Sequence, residues 1–251
     1  MEYSGIAPFT VVIPLIPQHD FEIKRILKLL ANEQNLIHQV IICRSESKGS
    51  ISKIEGKFQK YAQQATFYKD VKVDCVKEVA RDGTNRNRGW KRALSEYIVF
   101  IDADDLYSPT RLTVLLDLIS LNQPDAIVHN YSTDGLPSAI NILKTQNLRN
   151  VRRDNDTEGY AYLSDEAGNK LKVHFAHITV RNELRNILMF TDRFPGADWE
   201  FAVGVVDSGL RMIYLNEELS AWSRKRSFRY IIRIHRMKLV KKLKNLMSEK
   251  S

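Results

Sequence analysis

Short runs of β-branched and aliphatic residues recur along the first half of the chain, separated by segments whose apolar residues repeat at helical spacing. Thr10-Val11-Val12-Ile13-Pro14 reads as a buried strand closed by proline. From Phe21 to Gln34, the residues Phe21, Ile23, Ile26, Leu27, Leu29 and Leu30 cover one helical face. A second buried strand follows at Val40-Ile41-Ile42-Cys43, and Val71, Val73 and Cys75 alternate as in an edge strand between Thr66 and Val79. Gly83 to Tyr97 reads as a loop entering a helix, and Tyr97-Ile98-Val99-Phe100-Ile101 as another apolar strand. Pro109 opens a helix through Leu121, and Asp125-Ala126-Ile127-Val128-His129 returns as a strand. Strands and helices alternating at these spacings predict a doubly wound, mostly parallel α/β sheet with no internal repeat.

The second half is less regular. Gly135 to Gly168 is rich in Asn, Asp and Arg and reads as a long excursion or flexible loop. A short strand is expected around Lys172 to Val180, and a helix beginning near Asp198. From Ser227 to Lys250, Phe228, Ile231, Ile232, Leu239, Leu243 and Leu246 fall on one helical side, with Lys and Arg crowding the rest. Such a basic amphipathic helix suits an anionic membrane surface, unless its apolar stripe packs onto the domain. The expected organisation is therefore a domain over residues 1–222 and a basic amphipathic C-terminal helix or tail over 223–251.

Composition changes that picture in one respect. At 251 residues and 43% apolar residues, the chain suits one core-bearing domain, at most with a small appendage. The net charge of +8 is not spread evenly. Eleven of the 38 Lys/Arg and one of the 30 Asp/Glu lie in residues 223–251, so that segment carries +10 and the rest of the chain −2. A near-neutral body argues against a nucleic-acid groove, and no nucleic acid is expected as a partner. Cys43 and Cys75 form neither a disulfide framework nor a zinc spacing, which points to a reducing, cytoplasmic setting. The N-terminal residues do not read as a signal peptide, and no stretch approaches the roughly 20 apolar residues of a spanning helix.

The chemistry concentrates at Asp102-Ala103-Asp104-Asp105, where a buried strand ends in three carboxylates. Carboxylates so close together repel one another and prefer water or a cation. In open α/β sheets, ligands bind beyond the carboxyl ends of the strands, where this cluster falls. Oxygen ligands there suit Mg²⁺ or Mn²⁺, completed by water and a diphosphate. A helix N-cap before Pro109 is the alternative for Asp105, though it leaves Asp102 and Asp104 unexplained.

The segment Tyr97 to Pro109 resembles the D-x-D segment of glycosyltransferase family 2, which has the GT-A fold. Gly83-Thr84-Asn85-Arg86-Asn87-Arg88-Gly89-Trp90 resembles that family's Arg-Asn-x-Gly segment, Val11-Val12-Ile13-Pro14 its first strand, and Gly196-Ala197-Asp198-Trp199-Glu200-Phe201 its acidic motif at the start of a late helix. The four occur in the family's order and cover roughly residues 9 to 222. The resemblance implies an inverting transferase acting on a nucleoside-diphosphate sugar. Asp104 would be the main metal ligand with Asp105 assisting, Asp102 would reach the ribose, and Pro14, Arg44 and Arg86 would complete the donor site. Asp198 would be the general base on the acceptor hydroxyl, unless it only caps its helix. Arg86 is preferred over Arg88 for the donor's phosphates, and Trp90 reads as packing.

Two departures stand out. Arg44 occupies the place where the family usually has an Asp that reads the base, and a guanidinium cannot accept a hydrogen bond from a uracil imide. Where the family often has a metal-binding His after the late strand, Trp222 to Ser227 offers only cations. His174 and His177 fall on the strand expected around Lys172 to Val180. They are expected to share one face, as a metal or acceptor site or as a structural pair. The sequence thus points to a glycan or lipid-linked acceptor in polysaccharide assembly at the inner membrane face. Its alternatives are a nucleotidyltransferase, disfavoured because Leu15 to Asp20 contains no glycine, and a catalytically degenerate GT-A binding module.

Overall fold

The computed structural model of the protein describes residues 7–46, 50–133, 148–193 and 195–221. Four strands build the parallel half of the sheet: β1 (Phe9–Leu15), β2 (Ile37–Arg44), β3 (Asp70–Cys75) and β4 (Tyr97–Phe100). They lie in the order β3-β2-β1-β4, and every neighbouring pair is parallel. Helices α1 (Glu22–Leu30), α2 (Ile51–Gln64) and α3 (Asp82–Lys91) make the crossovers.

The other half is mixed. After β5 (Leu106–Tyr107) and α4 (Arg111–Asn122) come β6 (Ala126–Ser132), β7 (Leu148–Asn150), β8 (Arg152–Asn155), β9 (Ala161–Ser164), β10 (Thr179–Arg181), α5 (Ala197–Asp207) and β11 (Met212–Ala221). The short β10 inserts antiparallel between β4 and β6, and β11 then runs parallel to β6. The result is a curled, mostly parallel sheet flanked by helices, as expected for the GT-A fold.

Strand alternation sends side chains to two cores. Phe9, Val11, Ile13 and Leu15 of β1 join Tyr97 and Val99 of β4 under α1, α2 and α4. Val12, Ile98 and Phe100 point the other way, to Trp90, Phe190 and Phe201 beneath α3 and α5. Trp90 is a packing residue, as expected: its ring meets Phe100, Phe190 and Phe201 edge-on.

Several boundaries differ from the sequence reading. The helix expected from Phe21 to Gln34 is α only to Leu30, then continues as a 3-10 segment with a kink at Glu33, and Phe21 stays 64% exposed. The strand expected around Lys172 to Val180 is instead a 3-10 turn, Phe175–His177, followed by β10. The excursion expected over Gly135 to Gly168 includes β7 and the β8–β9 ribbon. That ribbon turns on Asp156, whose carboxylate accepts from the backbone N–H of Glu158 and Tyr160. β8 is polar and largely exposed, and β9 buries only Leu163 and Ser164, so hydrophobic alternation is too short there to mark the pair as strands. The amphipathic helix expected over residues 223–251 lies outside the described residues, as does Trp222 to Ser227.

Glu33 explains its own kink. Its carboxylate reaches the start of α4, accepting from Leu112 N (3.0 Å), Thr113 N (2.7 Å) and Thr113 Oγ1 (2.7 Å). It therefore caps a helix some eighty residues away in sequence. Glu33→Gln replaces one acceptor oxygen with a donor and leaves a buried N–H unpaired. Urea denaturation is expected to show a loss of about 1–3 kcal/mol.

Candidate active site

The parallel strands end along one edge of the sheet, and a cleft of about 340 Å³ opens there. Pro14 and Ile16, at the end of β1, form one part of its wall. Asp102, Asp104 and Asp105 follow β4 directly and form the floor, and Arg86 of α3 lies beside them. Asp198, in the first turn of α5, also lines the cleft. One cavity thus gathers Pro14, Arg86, Asp102, Asp104, Asp105 and Asp198 from segments far apart in sequence.

The three acids each offer an oxygen within 4.8 Å of the others. Burial, above all, pushes the Asp102 carboxyl well above its ordinary value, and Asp82, Asp105 and Asp104 add to the shift against the pull of Arg86. Burial and then Asp105 likewise raise Asp104. Asp104 is the most exposed of the three. The donor set is all oxygen, so these residues fit a hard divalent ion.

Asp105 is different. It is turned inward, with Oδ2 lying 3.1 Å from His174 Nε2 and 3.5 Å from His177 Nε2. Burial alone would raise its carboxyl, but those histidines hold it well below the usual carboxylate range. It caps no helix: the N-cap of α4 is Thr110, and Asp105 N closes a turn onto Asp102 O. His174 and His177 do share a face, though not through strand alternation, since a spacing of three would put them on opposite sides of a strand. They share it because Phe175–His177 is a 3-10 turn, in which residues three apart eclipse. Their rings stack at 4.2 Å.

Arg86 is buried and its Nη2 donates to Asp102 Oδ1, while its guanidinium lies over the Phe190 ring at 5.4 Å. It steadies Asp102 before any ligand arrives. Arg88 points away from the cleft to Asp74. Arg44 also turns away, donating to both Asp20 oxygens at 2.7 and 3.2 Å, and Lys57 joins the same carboxylate. It does not line this cleft, and Asp20 supplies its buried counter-charge.

Asp198 is not its helix's N-cap. That position is Gly196, at a φ of 113° that only glycine adopts readily. A second glycine brings α3 against the same segment. A Cβ on Gly83 would meet Thr191 O at 2.2 Å, and both Phe190 and Ala197 are close. In Gly83→Ala, either α3, which carries Arg86, or the Thr191 backbone must shift, with Ala197 beside Asp198 in close contact. The expected result is a loss of about 1–3 kcal/mol in denaturant unfolding, with turnover reduced beyond what residual unfolding explains.

The sequence reading did not select three further cleft residues, His19, Asp82 and Arg193. Asp82 had a signal, since it stands directly before the Gly83 segment. His19 and Arg193 reach the cleft from irregular turns that carry no periodicity.

Residues 10–171 match the sequence profile of glycosyl transferase family 2. No curated protein sequence matches the chain significantly. Among solved structures, Staphylococcus aureus TarS 1-349 in complex with UDP-GlcNAc superposes with a TM-score of 0.61 at 15% identity, covering 88% of this chain and 59% of that one. A mycobacterial protein superposes with a TM-score of 0.58 at 16% identity, covering 88% and 69%. A longer TarS structure is covered over 36% of its length, at a TM-score of 0.57 and 15% identity, so the chain spans only part of these relatives. At such identities the likeness is one of fold.

Proposed function

The chain belongs to glycosyl transferase family 2, and from that membership we propose that it is a metal-dependent, inverting glycosyltransferase using a nucleoside-diphosphate sugar. The proposed acceptor is a glycan or a lipid-linked glycan, in cell-surface polysaccharide assembly. One observation carries the reading: Asp102, Asp104 and Asp198 line a single cleft, where Arg86 of α3 donates to Asp102.

In this reading Asp104 is the main ligand of Mn²⁺ or Mg²⁺, at the open side of the acidic cluster. The ion would neutralise the charge that develops on the leaving diphosphate. Asp102, steadied by Arg86, accepts hydrogen bonds from the ribose. Asp198 takes the proton from the acceptor hydroxyl as that oxygen bonds to the anomeric carbon and the bond from carbon to diphosphate oxygen breaks. Attack from the face opposite the diphosphate inverts the anomeric centre. TarS has been crystallised with UDP and with UDP-GlcNAc, which makes uridine the first base to test. Arg44 is committed to Asp20, so the base would be read by other groups.

Among the described residues no helix is long and apolar enough to cross a membrane. We assign contact with an anionic membrane surface to residues 223–251, at the cytoplasmic face, where each basic residue adds on the order of 1 kcal/mol.

Thermal-shift measurements against a panel of nucleoside diphosphates, with and without Mn²⁺, test the proposal. Metal-dependent stabilisation by one diphosphate is the expected result and names the base. Stabilisation by triphosphates alone would favour a nucleotidyltransferase, and none by any nucleotide would favour a binding module.

A further inference from the structure

Behind the acidic segment, Asp105, His174 and His177 make a group with the composition of a metal centre: one carboxylate and two imidazoles, their ligand atoms within 4.8 Å of one another. What lies behind His177 decides whether it is one. Arg111, the first residue of α4, is fully buried. Its Nη2 donates to His177 O at 2.6 Å, and its Nη1 lies 3.2 Å from His177 Nδ1. A guanidinium only donates. Nδ1 must therefore present its lone pair to Arg111, and the ring's single proton sits on Nε2, facing Asp105.

One contact pulls the other way. Asp102 N lies 3.4 Å from the same Nε2 and would be served by a lone pair there. That contact is longer, and its donor is neutral, whereas the Arg111 donor is charged and shorter. Arg111 wins. In a metal centre, the far nitrogen of a ligating imidazole donates to a carboxylate or carbonyl. Here the far nitrogen of His177 receives a hydrogen bond from a cation, so its near nitrogen carries a proton where a metal would need a lone pair. The partner imidazole is braced too: His174 Nδ1 is engaged by Ser220 Oγ of β11.

We infer that Asp105, His174 and His177 form a hydrogen-bond clamp rather than a metal centre, with Arg111 fixing His177 as the Nε2–H tautomer that donates to Asp105. His177 is then a positioning residue. It holds the rear of the acidic segment so that Asp102 and Asp104 face the cleft, and it leaves the ion to those two. The consequence for turnover rests on the glycosyltransferase reading; the tautomer and the exclusion of metal do not.

Long-range proton–nitrogen correlation spectra of the full chain with ¹⁵N-labelled histidine test this directly, His177 being assigned by the signals lost in His177→Gln. The expected result is a bare Nδ1 and a protonated Nε2 on His177, unchanged by stoichiometric Zn²⁺. An Nδ1–H tautomer would overturn the inference, as would Zn²⁺-induced shifts at Nε2 of His177 and His174. Two variants read the positioning role. His177→Gln keeps an N–H near the Nε2 position, and His177→Asn moves the polar group to the Nδ1 position. At matched thermal stability, Mn²⁺-dependent donor turnover is expected to stay within about threefold of wild type in His177→Gln and to fall about tenfold or more in His177→Asn. Equal losses in both would contradict positioning. A wild type that turns over no donor at all would sink the transferase reading while the spectra still decide the clamp.

Discussion

Asp104→Asn is expected to lower metal-dependent donor turnover by about 10²–10³-fold, the scale of losing one preorganised electrostatic contact to a developing charge. The fold should survive, because the substitution removes a charge from a crowded set. Asp102 and Asp104 both have carboxyls raised by burial and by their neighbours. A group whose folded value is raised contributes stability that is present below its unfolded value and lost as pH rises through the folded one. Metal-free wild type should therefore lose stability as pH climbs above the ordinary carboxylate range, and Mn²⁺ should restore it. Asp104→Asn should unfold at the same temperature as metal-free wild type or slightly above, with a flatter pH dependence and little response to Mn²⁺. A variant that unfolds early would instead make Asp104 a structural residue. Thermal unfolding across a pH series, with and without Mn²⁺, separates the two outcomes.

Asp198→Asn should act on a different step. An amide keeps the size and one acceptor of the carboxylate but cannot take the proton of an attacking hydroxyl. Transfer should fall by about 10²–10⁴-fold, the range for a lost general base. Donor affinity should change little, since Asp198 lies on α5, a different element from the acidic segment. Calorimetric titration of the donor analogue beside a turnover assay gives the comparison: unchanged binding with lost transfer supports the base, and parallel loss of both would place Asp198 in the donor site instead.

Much of the sheet was legible in the sequence because β1, β2 and β4 are buried on both faces, and such strands are written as continuous apolar runs. The acidic segment was legible for the same reason in reverse: three carboxylates directly after such a run have no packing explanation. Helix α2 was also readable, through Ile54, Phe58 and Ala62 at four-residue intervals, but the sequence reading left it out. The rest depended on contacts that no local pattern encodes. Arg44 looked like a donor residue because its partner, Asp20, lies 24 residues away. Glu33 reads as a surface acid until α4 arrives to be capped. His174 and His177 looked like strand residues, and only the 3-10 turn beneath Asp105 makes their spacing meaningful.

Hydrolysis of a nucleoside-diphosphate sugar by the purified full chain, followed first in excess chelator and then after Mn²⁺ is restored, is the most direct test of the central claim. Turnover should be absent with chelator, return with Mn²⁺, and fail to return in Asp104→Asn. Undiminished hydrolysis in excess chelator would contradict a metal-held donor at Asp102 and Asp104.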